Sequence, residues 1–310
     1  MEEGIMKKIT TAVFPVAGLG TRFLPITKTA PKEMLPIVDR PLIQYVVQEA
    51  VTAGISQLVF VTSNTKHALE DYFDRHFELE RYLAETGKQS ALNLITSMVP
   101  EHVSIVYVRQ PSPAGLGDAV WRARHIVGNQ PFAVLLADDI IDCGKKNCLK
   151  NMIEVYENTA ASVLAVEEIA PEESLQYGVV SLANEIKSMA YQINGIIEKP
   201  SPEKAPSNLG VVGRYILTPR IFEIIEQTKK GVGNEVQLTD AIETLIKYEK
   251  VMAYPFSGKR YDCGSKIGFL EATVAYALQR ADLGDQLREI LEEMLTNNPL
   301  KARKTALSGV

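Results

Sequence analysis

The sequence predicts an α/β protein: a mostly parallel mixed sheet flanked by helices, then a smaller α+β region and a helical C-terminus. Three observations lead there. Apolar runs of strand length alternate with segments of helical period through the first half of the chain, the pattern that βαβ units impose. Beyond about residue 150 the strands become short and lie between loops rich in glutamate and proline. Ile267, Leu270, Val274 and Leu278 then recur at helical spacing, which predicts helix over the last 45 residues, ending in a polar tail expected to be disordered.

Residues 11–17 read as the first strand, running into a loop rich in glycine and proline. Residues 41–53 read as a helix opened by Pro41 and closed by Gly54. Residues 57–62 form a second strand, after which Asn64 is placed to cap one long charged helix reaching about Glu85. Residues 103–108 return as strand, and residues 117–127 as helix with Val120, Ala123 and Val127 on one face. Residues 132–137 are wholly apolar and end in Asp138 and Asp139. A buried central strand would deliver such side chains to the sheet edge where α/β proteins bind ligands. Residues 163–166, 179–181 and 211–217 are the short strands of the second region.

With 310 residues and 46% hydrophobic composition, the chain can bury a substantial core and sits where single cores begin to divide. A formal charge of −5 without any basic run argues against nucleic acid as a partner. No apolar stretch approaches the roughly 20 residues of a membrane span, and the N-terminus lacks a signal-peptide core. A cytoplasmic protein with no membrane partner is expected. Cys143, Cys148 and Cys263 lack CxxC spacing and read as free thiols. His67, His76, His102 and His125 form no HExxH pair and read as surface residues.

The first strand runs into AGLGTRFLP (17–25), where Gly18 and Gly20 let backbone amides approach an anion. A dinucleotide fingerprint would need a third small residue where Phe23 stands and a helix directly afterwards, which Pro25, Pro31 and Pro36 forbid. A Walker loop fails too, because no glycine precedes a Lys-Ser or Lys-Thr pair at the required spacing. Arg22, Lys28 and Lys32 add three cations to an acidic protein. Beside two glycines, they suit a triphosphate better than a merely solvated basic loop.

AGLGTRFLP together with PKEMLPI (31–37) resembles the signature of the sugar nucleotidyltransferases, which join a nucleoside triphosphate to a sugar 1-phosphate. The resemblance continues in order through QPSPAGLGDAV (110–120), LLADD (135–139), YGVV (177–180), IIEKP (196–200), NLGVVGRYIL (208–217), GNEVQLTDAI (233–242) and YDCGSKIGF (261–269). It implies a Rossmann-like nucleotide-binding part over 1–150, a sugar-phosphate-binding part over 151–265, and C-terminal helices over 266–310 through which a homo-oligomer could assemble. Ala17, Gly18 and Gly20 would hold the nucleotide, with Gln110 and Gly115 facing the base. Arg22 and Lys32 would carry the catalytic charge on the triphosphate. Gly178, Glu198, Lys199 and Gly213 would bind the sugar phosphate, Glu198 accepting from hydroxyls and Lys199 neutralising the phosphate. Adjacent strand residues face opposite ways, so Glu198 and Lys199 can act together only at a bend, for which Pro200 gives a reason. Asp138 and Asp262 would hold a magnesium ion, which favours hard oxygen donors and leaves positions for water and phosphate. Asp139 reads as a turn residue.

LLADDI and YDCGSK resemble the uridylyl branch of the family, which implies UTP and glucose 1-phosphate as substrates and UDP-glucose and pyrophosphate as products. Three alternatives stay open: thymidine triphosphate in the same reaction, a nucleotide-binding regulator without turnover, and a dehydrogenase. A phosphomonoester loses its second proton at about pH 6, so its oxygen is already a nucleophile. The sequence also lacks a serine, cysteine or histidine nucleophile motif, and direct displacement is expected. Cys263 follows Asp262 and should point the opposite way, into the core.

Overall fold

The computed structural model describes residues 7–184 and 189–297, so the predicted polar tail lies outside the described residues from 298 onward. β1 (Thr11–Pro15) leads through three short 3₁₀ turns, Thr21–Phe23, Ile26–Lys28 and Lys32–Met34, to the hairpin β2 (Pro36–Ile37) and β3 (Arg40–Pro41). The predicted prolines break this stretch as expected. Helix α1 (Leu42–Thr52), β4 (Gln57–Thr62), α2 (His67–Phe73), α3 (Phe77–Glu85), α4 (Gln89–Thr96) and β5 (Ser104–Arg109) follow. Next come α5 (Leu116–Arg122), α6 (Arg124–Val127), β6 (Phe132–Leu135), β7 (Asp139–Asp142), α7 (Cys148–Thr159) and β8 (Ser162–Glu168). The chain continues as β9 (Gly178–Asn184), β10 (Tyr191–Glu198), β11 (Leu209–Leu217), α8 (Arg220–Gln227), α9 (Leu238–Leu245) and β12 (Val251–Pro255). It closes with β13 (Lys259–Asp262), α10 (Lys266–Leu278) and α11 (Gly284–Asn297).

Among the described residues nine strands form one sheet in the order β5-β4-β1-β6-β11-β8-β12-β10-β9. The first four pair in parallel, as does β12 with β8. The remaining neighbours are antiparallel, giving the mixed sheet that was expected. Strand alternation divides the core between the two faces. Ala12 and Phe14 point into one apolar layer, where α1 and α7 pack, while Val13 joins the other with α5, α8 and α9. Phe14 stacks on Phe60 at 5.0 Å between ring centres, and each such fully buried side chain contributes roughly 1.5–3 kcal/mol. Among the described residues no helix is long and apolar enough to cross a membrane.

Two local expectations are corrected. The single helix from Asn64 to Glu85 is two, because Asp74 takes an extended conformation (φ −76°, ψ 159°). Lys66 stands at the N-cap of α2, and His76 opens α3 by accepting the Leu79 N–H at 3.2 Å. The helix at 117–127 divides at Ala123, although Val120, Ala123 and Val127 are buried as predicted. In α10 the inward face is Gly268, Ala272 and Ala277, while Ile267 stays 75% exposed and Leu270 57%.

Candidate active site

β6 is buried along its whole length, and the chain turns immediately after it to place Asp138 and Asp139 at the sheet edge. A separate two-stranded ribbon then brings the C-terminal part of the chain to the same place. β7 pairs with β13 so that Asp139 sits opposite Asp262, and the Cys263 N–H donates to the Asp138 carbonyl at 2.8 Å. Asp138 Oδ2 and Asp262 Oδ1 converge there. A methyl group on Gly264 would lie 3.0 Å from each of them and 3.4 Å from Arg22 Nη1, so glycine keeps the space between the two carboxylates open. Arg22 Nη1 also donates to the Gly264 carbonyl at 3.4 Å.

Burial alone would raise the Asp138 carboxyl, but the Lys32 ammonium, 2.6 Å from its Oδ2, holds it below the ordinary range. Lys32 thus rests on a carboxylate. Its turn is anchored by the next residue, since Glu33 Oε2 accepts from Lys66 Nζ at 2.7 Å with side chains only 1% and 6% exposed. In the phosphate loop Gly20 adopts a left-handed φ of 66°, and a Cβ there would press on Lys32 Cβ at 3.2 Å. Gly18 is exposed with open space beside it, and Ala17, two residues past the end of β1, is buried. Lys28 is exposed.

Asp139 does more than turn the chain. Its Oδ2 accepts from the Gly213 N–H at 2.7 Å and its Oδ1 from Arg260 Nε at 2.8 Å. Arg260 Nη1 in turn donates to Glu167 Oε1 at 2.7 Å and to the Tyr177 hydroxyl at 2.8 Å. Behind this layer Arg214 is fully buried. It pairs with Glu49 Oε2 through Nε and Nη2, and its other protons go to the carbonyls of Leu136, Gly213 and Asp139. A buried guanidinium persists only when its donors are satisfied in this way. Gly213 is glycine for a related reason, because a Cβ would lie 2.6 Å from Asp139 Oδ2 and 2.7 Å from Leu136 Cβ.

On the far side of the cavity, β10 ends at Glu198 and Lys199 takes a left-handed φ of 46°, which is the predicted bend. The two side chains consequently meet, Lys199 Nζ lying 3.3 Å from Glu198 Oε1. Gly178 faces them, and a Cβ on it would touch Thr239 Oγ1 at 3.3 Å and Glu198 Oε2 at 3.4 Å. Gln110 is 6% exposed, with its Nε2 donating to the Gly115 carbonyl at 3.2 Å and to Asp118 Oδ2 at 2.8 Å. Gly115 has φ 104° and packs on the backbone of Val236 at 2.6 Å from a would-be Cβ, so this turn admits no side chain.

One cavity of about 260 Å³ gathers Arg22, Asp138, Gly178, Glu198, Lys199, Gly213 and Asp262. Ala17, Gly18, Gly20, Lys32, Gln110 and Gly115 lie outside its walls. It also takes in Tyr177, Thr239 and Arg260, which were not singled out from the sequence. A signal existed for one of them. Arg260 is two residues before Asp262 on an extended strand, so the two share a face.

The nucleotidyl transferase family model matches residues 12–279, nearly the whole of the nine-stranded sheet and both carboxylate elements. The chain belongs to the nucleotidyl transferase family. This transferase is 46% identical over 296 residues to the UTP–glucose-1-phosphate uridylyltransferase of Bacillus subtilis, spanning 95% of this chain and 100% of that one. Among solved structures it is similar to a UTP-bound UGPase from Acinetobacter baumannii, with a TM-score of 0.86, 46% identity and coverage of 92% of this chain and 99% of that one. A UDP-glucose pyrophosphorylase complexed with UDP-glucose gives a TM-score of 0.81 at 48% identity, covering 88% and 100%.

Proposed function

We propose that this nucleotidyl transferase moves a uridylyl group from UTP to glucose 1-phosphate, releasing pyrophosphate and UDP-glucose. The observation that carries the reading is the cavity in which Glu198 and Lys199 stand across from Asp138, Asp262 and Arg22. It offers a hydroxyl acceptor and a phosphate cation beside two hard oxygen donors. The choice of uracil and glucose is supported by relatives whose names specify UTP–glucose-1-phosphate uridylyltransferase.

Two carboxylates converging on an open point fit a magnesium ion, with its other positions left to water and phosphate. Bound there, it would supply charge neutralisation to the reacting phosphates. The chain's own groups do the rest. Lys199 holds the sugar phosphate while Glu198 orients the sugar, which brings a phosphate oxygen in line with the α-phosphorus. Arg22 meets the negative charge of the triphosphate at the other end. Gln110 gives its amide protons to the Gly115 carbonyl and to Asp118 Oδ2, which leaves its Oε1 as the acceptor it would offer the base.

In this reading residues 1–150 bind the nucleotide, 151–265 bind the sugar phosphate, and 266–310 serve assembly into a homo-oligomer. The exposed stripe of Ile267, Leu270 and Val274 on α10 is an apolar face suited to a second copy of the chain. Three free thiols fit a cytoplasmic setting. The deciding experiment offers the protein each nucleoside triphosphate with magnesium and a set of sugar 1-phosphates, and measures pyrophosphate release. UTP with glucose 1-phosphate should be fastest. Faster release with thymidine triphosphate would move the assignment to the thymidylyl reaction, and no release with any pair would leave a binding protein.

A further inference from the structure

We propose that Lys32 is the resident counter-ion of the cation position, so that a divalent cation binds well only together with the triphosphate that draws Lys32 away. The inference rests on the reading of Asp138 and Asp262 as the metal-holding carboxylates.

Its ground is one shared atom. Asp138 Oδ2 and Asp262 Oδ1 each lie 3.0 Å from the position a Gly264 Cβ would occupy, and the same Asp138 Oδ2 accepts from Lys32 Nζ at 2.6 Å. An ammonium and a divalent ion on one oxygen would stand within a few ångströms of each other, where like-charge repulsion is strong even at the effective dielectric of a protein surface. Either cation can hold that oxygen well, but not both.

The local structure permits the exchange. The Lys32 backbone is fixed, since it follows Pro31 and precedes Glu33, whose carboxylate is locked to Lys66 in a nearly buried pair. The stem starts beneath the phosphate loop, with Lys32 Cβ 3.2 Å from the position a Gly20 Cβ would occupy. Only the flexible four-carbon chain has to move. An anion seated on the Gly18–Gly20 loop offers the ammonium a second partner close to the one it leaves. The arriving triphosphate thereby both attracts Lys32 and uncovers Asp138. Without nucleotide, Lys32 and Arg22 already offset the two carboxylates.

The test uses Mn²⁺ as the probe, titrated into the protein and followed by electron paramagnetic resonance. Without nucleotide, Lys32→Met should bind Mn²⁺ about tenfold more tightly than wild type, because a unit positive charge has left contact distance. Lys32→Gln, neutral but still a donor, should fall between them. With saturating UTP the advantage should vanish or reverse, since the variants then lack a phosphate contact. Thermal melting identifies which variants are folded, and Lys32→Gln carries the test should Lys32→Met melt below the assay temperature. Unchanged Mn²⁺ affinity in a folded Lys32 variant without UTP would overturn the exchange. Asp138→Asn separates this from the underlying reading: if it weakens Mn²⁺ binding in the presence of UTP, the metal assignment stands whatever the lysine variants do. If it does not, the metal assignment fails and the exchange falls with it.

Discussion

Arg260 Nε lies 2.8 Å from Asp139 Oδ1, and this contact joins β13 to the first residue of β7, directly after Asp138. Both side chains are about nine-tenths buried, and the same guanidinium reaches Glu167 and Tyr177. The turn that carries Asp138 and the strand that carries Asp262 are thereby tied together by a nearly buried charge pair.

Arg260→Met should therefore destabilise the protein by about 3–5 kcal/mol, the range for leaving a buried partner charge uncompensated. A denaturation midpoint close to that of wild type would show the pair to be dispensable. Arg260→Lys should recover only part of the loss, because one ammonium cannot reproduce a guanidinium that spans three acceptors.

Gly264→Ala tests the open point directly. Its Cβ would intrude at 3.0 Å on both Asp138 Oδ2 and Asp262 Oδ1, pushing the carboxylates apart, while Arg22 Nη1 at 3.4 Å would stay at ordinary contact distance. Turnover should fall about a hundredfold, near 2.7 kcal/mol of barrier, and the magnesium concentration needed for half-maximal rate should rise. UTP affinity, measured by calorimetry without sugar phosphate, should stay within a few-fold of wild type.

Much of this site was legible because it is encoded by adjacent residues. The wholly apolar run ending in Asp138 announces a buried strand that stops at a ligand edge, and Glu198, Lys199 and Pro200 announce a bend that is realised as φ 46° at Lys199. What was not legible depends on partners distant in sequence. Asp139 looks like any turn aspartate until Arg260, 121 residues away, is folded against it. Lys32 reads as a phosphate ligand, and nothing near it in sequence points to Asp138, 106 residues away, as its partner without nucleotide. The helical period of Ile267, Leu270 and Val274 gave the helix correctly but does not mark its packed side, where Gly268, Ala272 and Ala277 are buried and Phe269 and Tyr276 pack against the core, while Ile267, Leu270 and Val274 stay exposed.

Asp138→Asn and Asp262→Asn should each lower turnover at least about a hundredfold, since the Lewis-acid charge they would hold contributes several kcal/mol to the transition state. Nucleotide binding should weaken much less, because that charge matters most as pyrophosphate departs. Near-normal turnover at saturating magnesium in either variant would remove its metal role.

Lys199→Ala should raise the KM for glucose 1-phosphate with a smaller change for UTP. The side chain is about half exposed, so the effect belongs at the low end for a charge-assisted phosphate contact, about 1.5 kcal/mol or roughly tenfold. The reverse pattern in steady-state kinetics would assign this lysine to the nucleotide.

The final prediction concerns the route of transfer. A double displacement needs a side chain that can carry the uridylyl group, usually with a base to activate it. His67, His76, His102 and His125 are all exposed and none lines the cavity. Cys263 follows Asp262 but turns into the apolar cluster with Phe23, Tyr261 and Ala272, is 1% exposed, and has its thiol pushed up to about 12 by burial. It is neither ionised near neutrality nor within reach of substrate. The sugar phosphate must then attack the α-phosphorus directly, and UTP made chiral at that phosphorus should yield UDP-glucose of inverted configuration. Cys263→Ser should remain substantially active. Net retention, or a protein-bound uridylyl group trapped when glucose 1-phosphate is withheld, would overturn the single displacement.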